Sequence, residues 1–212
     1  MRQINNYIDT IFNKQDNLLD EVISSIQQNG MPSISVSPSS GKLLTMLISI
    51  HGAKNVLEIG ALGGYSGICL ARGFGDKGSL TSLELEEKYA KLAHDNLSKA
   101  GFGDQVTYLT GPALSSLERL AANQARYDFF FIDADKENYE NYLAYCIRLS
   151  EPGALIVADN VLAGGSVVDP ESKSKRYTEF MKKFNQTVAE HPKLESLLIP
   201  IGDGMTVSQV KG

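Results

Sequence analysis

The chain has little positive charge to spare, few cysteines and histidines, and no long apolar run. Lysine and arginine number 20 against 25 aspartates and glutamates, for a net charge of −5 and a pI near 5.3. That balance argues against a broad basic surface for nucleic acid and leaves room only for a local patch. The two cysteines, Cys69 and Cys146, sit among apolar neighbours; they read as buried thiols and exclude a disulfide framework. Three histidines, His51, His94 and His191, lie outside the motifs below and read as surface or satisfied side chains. No apolar segment approaches the ~20 residues a membrane span needs, and none follows Arg2. A cytoplasmic protein is expected. The 212 residues are 42% hydrophobic, enough core for one domain over 1–212.

Apolar spacing predicts a helix over residues 4–29, stopped by Asn29-Gly30. A Ser/Pro/Gly-rich loop, Gly30 to Lys42, precedes a second helix from Lys42 to about His51. Beyond it, β-like runs at 55–59, 79–85, 105–110, 127–133 and 154–159 alternate with helical stretches at 66–72, 87–100, 114–123 and 139–149. Such alternation predicts a mostly parallel sheet covered on both faces. Tyr177, Phe180, Met181 and Phe184 mark one more helix, and Leu197–Pro200 with Met205–Val210 flank a GDG turn as an antiparallel hairpin.

The stretch VLEIGALGGYSG, Val56 to Gly67, runs from strand through glycine-rich turn to helix. Its glycines permit a tight turn and close ligand approach, and the helix start offers free N–H groups. The spacing is not G-x-G-x-x-G, so a dinucleotide fingerprint is absent. Instead Glu58 precedes Gly60, and Glu84 ends the next strand 24 residues beyond Gly60, where an acid can accept from ribose hydroxyls. A cationic nucleoside ligand such as S-adenosylmethionine fits, with Glu58 on the amino-acid side and Glu84 on the ribose. A turn used for packing alone is the plainer alternative.

The stretch FFFIDADKENY turns from an apolar run to Asp133, Asp135 and Lys136; ALIVADN ends in Asp159-Asn160. In an open parallel sheet, ligands bind outside the carboxyl ends of the strands. If these two strands are neighbours, two carboxylates and an amide converge. Those hard oxygens suit Mg²⁺, Mn²⁺ or Ca²⁺ and disfavour zinc. Asp135 reads as a turn residue or helix N-cap. Lys136 beside a metal can titrate low enough to act as a base; alone it would be a surface amine.

Taken together, the sequence resembles the metal-dependent class I O-methyltransferases of the catechol and caffeoyl-CoA type, especially bacterial members. NGMPSISVSPSSGKLL, LEIGALGGYS, TGPAL, FIDADKENY, ADNVLAGGSVVDP, FN at 184–185 and IPIGDGMTVS carry the resemblance over nearly the whole chain. It implies a Rossmann-like, doubly wound, seven-stranded sheet, mostly parallel with the last strand antiparallel. Extra N-terminal helices (1–52 here) would cap the site and often form a homodimer interface. It further implies a metal on Asp133, Asp159 and Asn160. S-adenosylmethionine would lie against Val36, Glu58, Gly60, Gly64, Tyr65, Ser66, Glu84, Pro112, Ala113 and Asp133, and Lys136 would be catalytic. The acceptor would be a vicinal-dihydroxy phenol, of catechol, flavonoid or caffeoyl type. Among the tyrosines that plant caffeoyl-CoA enzymes carry before the Phe184-Asn185 helix, Tyr177 alone is matched. Glu171 and Lys173 stand where an arginine and another tyrosine would be. The tryptophan that the catechol enzyme has between its metal Asp and Lys is absent too.

The mechanism expected is direct methyl transfer to one of two adjacent hydroxyls, with Lys136 accepting the proton or stabilising the oxyanion and Asp133 serving metal and cofactor together. An alternative acceptor is a hydroxylated wobble uridine in tRNA, held by a basic patch at SKSKR (172–176) and Lys182-Lys183. Outside the enzymes, a non-catalytic cofactor-binding protein would use the same fold.

Overall fold

The computed structural model describes residues 2–13, 16–168 and 175–212. Their order is α1 (Arg2–Phe12), α2 (Asn17–Gln28), α3 (Pro38–His51), β1 (Asn55–Ile59), α4 (Tyr65–Phe74), β2 (Ser79–Glu84), α5 (Glu87–Lys99) and β3 (Val106–Thr110). Then follow α6 (Ala113–Ala122), β4 (Tyr127–Ile132), α7 (Tyr139–Leu149), β5 (Ser150–Ala158), α8 (Thr178–Glu190), β6 (Leu194–Ile199) and β7 (Met205–Val210). One seven-stranded sheet runs β3-β2-β1-β4-β5-β7-β6. Pairs among the first five strands are parallel, and β7 runs antiparallel to both β5 and β6. The doubly wound sheet with an antiparallel last strand is as expected.

The central strands are apolar on both faces because helices cover both. Along β4, Phe129 and Phe131 pack with Val22, Ile26, Leu44 and Ile68. Phe130 and Ile132 turn the other way, to Leu117, Leu143, Met181 and Phe184. Cys69 and Cys146 are free and buried. Among the described residues, no helix is long and apolar enough to cross a membrane.

Three expectations for the N-terminal half and the later elements need correction. The helix over 4–29 is two helices. Asp16 caps α2, its side chain accepting from the Leu19 N–H at 3.2 Å, and a capping aspartate starts a helix rather than continuing one. The loop ends at Ser37, not Lys42: Ser37 caps α3 and Pro38 occupies its first turn, where a missing N–H costs nothing. Gly41 inside that helix lets α4 approach, since a Cβ there would lie 2.7 Å from the Cys69 Sγ. Finally, β5 and β6 begin at Ser150 and Leu194, earlier than Ala154 and Leu197. Pairing with β4 and β7 extends both past their apolar stretches.

Candidate active site

Register brings the strand ends level. Ile59 pairs with Ile132, and Ile132 with Ala158, so Gly60, Asp133 and Asp159 emerge side by side. The ladder continues one step further: the Asp133 N–H donates to the Ile59 carbonyl and the Asp159 N–H to that of Ile132, both at 3.0 Å. Here the sheet order reverses between β1 and β4, the place where open α/β sheets bind ligands. Gly60 has φ 98°, and a Cβ on it would run into the Asp133 carbonyl oxygen. Only a glycine lets these two strand ends approach so closely.

A cavity of about 650 Å³ opens at this edge. Val36, Gly60, Tyr65, Ser66, Glu84, Pro112, Ala113, Asp133, Lys136, Asn160 and Tyr177, all singled out in the sequence, line it. Glu84 turns one oxygen to the N–H groups of Ala61 (3.1 Å) and Leu62 (2.8 Å), bracing the glycine turn. Two expected residues are elsewhere. Gly64 serves helix packing, since a Cβ there would meet Leu97 at 2.9 Å and the Ala93 carbonyl at 3.0 Å. Glu58 is fully buried, its carboxylate accepting from the hydroxyls of Ser66 (2.5 Å) and Ser82 (2.6 Å). Burial pushes its pKa up to about 7 against those two hydrogen bonds. Of this pair, Ser66 is the one that lines the cavity.

A second cavity, of about 720 Å³, shares Val36, Ser35 and Asn160 with the first and adds Asp159, Asp203 and, from α1, Asn5, Asn6 and Asp9. Asn5 donates to the Gly202 carbonyl at 2.6 Å, and Asp9 accepts from the Ser39 N–H at 3.0 Å. These bonds hold α1 over the cavity's rim.

Between the two cavities lie the three oxygen donors. Asp159 is 2% exposed, and its carboxylate accepts from the Asn160 N–H at 2.6 Å. Burial first, and the Asp133 charge second, raise its pKa. Asn160 holds a left-handed φ of 61°, which asparagine tolerates better than most residues. Among the described residues, no three His, Cys, Asp or Glu side chains cluster as a metal site; beside Asp133 and Asp159 the further oxygen donor is the Asn160 amide. A buried acid, Asp159, a half-buried one, Asp133, and an amide, with no sulfur or imidazole, make a hard-oxygen set suited to a divalent cation.

Lys136 follows on a 3₁₀ turn. Its Nζ donates to Asp133 Oδ1 at 2.8 Å and to the Tyr139 hydroxyl at 2.6 Å. Asp135 precedes this turn, but its side chain caps no backbone N–H. It accepts instead from Asn138 Nδ2 at 2.5 Å and from the Tyr142 hydroxyl, at the cavity wall. The capping expectation is corrected to that extent: the short turn leaves side-chain donors closer than main-chain ones.

Sequence reasoning missed Tyr139 and Asp203. The first could have been found from its position three residues after Lys136, which stacks the two side chains on a helical turn. The second was read only as part of a GDG turn; nothing local announces that it faces Asp159. Of the basic cluster, Ser172, Lys173 and Ser174 lie outside the described residues, as does Glu171 just before it. Of its described members, Arg176 pairs with Glu137 (3.1 Å), Lys182 with Glu179 (2.9 Å) and Lys183 with Glu140 (2.6 Å).

Comparison with known proteins gives a consistent set of likenesses. A family described as O-methyltransferase matches residues 9–211. The chain is 38% identical over 214 residues to a catechol O-methyltransferase of Niastella koreensis, covering 98% of this chain and 96% of the other. It is 36% identical over 181 residues to caffeoyl-CoA O-methyltransferase 1 of Eucalyptus globulus, covering 82% and 74%. Among solved structures, an O-methyltransferase from Bacillus cereus in complex with SAH superposes with a TM-score of 0.88 at 36% identity, over 99% and 97% of the two chains.

Proposed function

The chain belongs to the O-methyltransferase family and is an S-adenosylmethionine-dependent O-methyltransferase; from that premise we propose that it methylates a small vicinal-dihydroxy phenol, of catechol, flavonoid or caffeoyl type, with the help of a divalent metal. Mg²⁺ is the metal of choice, with Mn²⁺ or Ca²⁺ suited to the same oxygens. The observation that carries this reading is the level ending of β4 and β5, which leaves Asp133, Asp159 and Asn160 together between two cavities. The first cavity suits the cofactor and, where Lys136, Asn160 and Tyr177 line it, the acceptor's reacting hydroxyl; the second opens on the far side of Asp159 and Asn160.

In this reading Gly60, Tyr65, Ser66, Glu84, Pro112, Ala113, Val36 and Asp133 hold the cofactor, while Glu58 acts on it through Ser66. S-adenosylmethionine supplies a methyl group on a sulfonium. A cation on Asp133, Asp159 and Asn160 supplies Lewis acidity toward a neighbouring hydroxyl. Lys136, tethered to Asp133, stabilises the developing phenolate or takes its proton. Tyr177 borders the acceptor's approach. Residues 1–52 cap the site within a single domain spanning 1–212. Exposed Ile4, Tyr7, Ile11 and Phe12 on α1 support a homodimer, and a cytoplasmic setting suits the buried free thiols.

The test is methyl transfer to a panel of catechols, flavonoids and caffeoyl esters, with Mg²⁺ and with a chelator. Activity should depend on the metal, and Asp159→Ala should lower it at least ~100-fold. Full turnover in chelator would sink the metal scheme; turnover only on monophenols would sink the acceptor class.

A further inference from the structure

We propose that Tyr139 is a positioning residue for methyl transfer, acting through Lys136 and through the backbone that carries the metal donors. The proposal rests on the reading of Lys136 as a catalytic group. Tyr139, the first residue of α7, is 1% exposed, and its ring is locked edge-on against Phe184, 5.2 Å away at 79°. A phenol has one proton to donate. The hydroxyl lies 3.0 Å from the Asp159 carbonyl oxygen and 3.4 Å from that of Ile132, so it donates there. It therefore accepts from Lys136 Nζ at 2.6 Å, while a second ammonium proton goes to Asp133 Oδ1 at 2.8 Å.

Two consequences follow from this one hydroxyl. Nζ is fixed at two points, which leaves its third proton for the cavity that Lys136 lines. A flexible four-carbon side chain is thus held in one place before substrate arrives, the entropy already spent. The same hydroxyl also joins the end of β4 to the end of β5, the two strands whose next residues are Asp133 and Asp159. A phenyl ring in its place keeps the packing against Phe184 but leaves Nζ held by Asp133 alone and removes the donor to the Asp159 carbonyl.

The test compares Tyr139→Phe, Lys136→Met and the double variant in the full chain, with Mg²⁺ and a catechol, each assayed well below its own melting midpoint. SAH affinity by calorimetry reports whether the cofactor cavity is intact. Tyr139→Phe should lower kcat roughly tenfold while KM for S-adenosylmethionine stays within about twofold. Tyr139→Phe should slow Lys136→Met far less than it slows the parent, because the hydroxyl then has no amine to hold and only its bond to the Asp159 carbonyl is lost. Undiminished kcat in Tyr139→Phe, or an equal slowing by Tyr139→Phe in both backgrounds, overturns the proposal and leaves Lys136 standing. Full activity in Lys136→Met overturns the Lys136 reading itself, and this proposal with it.

Discussion

At the scale of single residues, Gly60 is the glycine with least room for a side chain. Its positive φ and its contact with the Asp133 backbone both forbid a side chain. Gly60→Ala should cost about 2–4 kcal/mol, because strain and collision add at a point where two central strands meet. A urea titration would show it, and a midpoint equal to the parent's would refute the assignment. Glu58 carries the other residue-level consequence. Its pKa is raised from 4.5 to about 7 by burial, so the folded state holds a proton that the unfolded state has lost between those values. Stability is then greatest below about pH 4.5 on this account and declines as pH rises to about 7, by up to roughly 3 kcal/mol in total. Glu58→Gln should flatten that part of the pH–stability curve. An unchanged slope would mean that Ser66 and Ser82 already stabilise the ionised form.

At the scale of elements, the break between α1 and α2 decides how the N-terminal segment reaches the site. Asp16 starts α2 and also pairs with Arg72 on α4, at 2.5 Å, which lowers the Asp16 pKa. The pair is about one-third exposed on each side, so its share is small after solvent screening. Asp16→Ala should therefore cost about 1–2 kcal/mol, mostly for the lost cap. Melting in low and high salt separates the two: a loss that vanishes in high salt would assign it to the ion pair instead. The positions of β1, β4 and α7 were legible in the sequence because hydrophobic period, glycine punctuation and length agree there. The split helix was not, since apolar residues on both sides of residues 13–16 keep a helical period across it. The start of β5 was missed for the opposite reason: Ser150–Gly153 carries no apolar signal and is drawn into the sheet only by its neighbours.

At the scale of the whole molecule, the charge distribution bears on which acceptor is used. The net charge is −5, and Arg176, Lys182 and Lys183 are each matched by an acid. Binding through phosphates would weaken steeply with salt, whereas a small neutral phenol has no counterions to release. Methyl transfer to such a phenol should change less than about twofold between 50 and 300 mM salt. A steep loss over that range, with methyl incorporation into undermodified tRNA, would favour the nucleic-acid acceptor.

By itself the sequence determined the class of fold, the glycine turn and the acids that stand beside it and at the strand ends. Strand–helix alternation, a glycine turn flanked by acids, and two acidic strand ends are local chemical facts that survive any packing. What it left to tertiary structure was adjacency. That β4 and β5 are neighbours in register, so that Asp133 meets Asp159 and Asn160, follows from sheet order, which no local pattern encodes. So does the placing of Glu58 behind Ser66, and of Gly64 against α5 rather than in the cavity. The hydroxyl of Tyr139, reaching from one strand end to the other, belongs with these. Its role depends on distances between segments that only the packed sheet brings within hydrogen-bonding range.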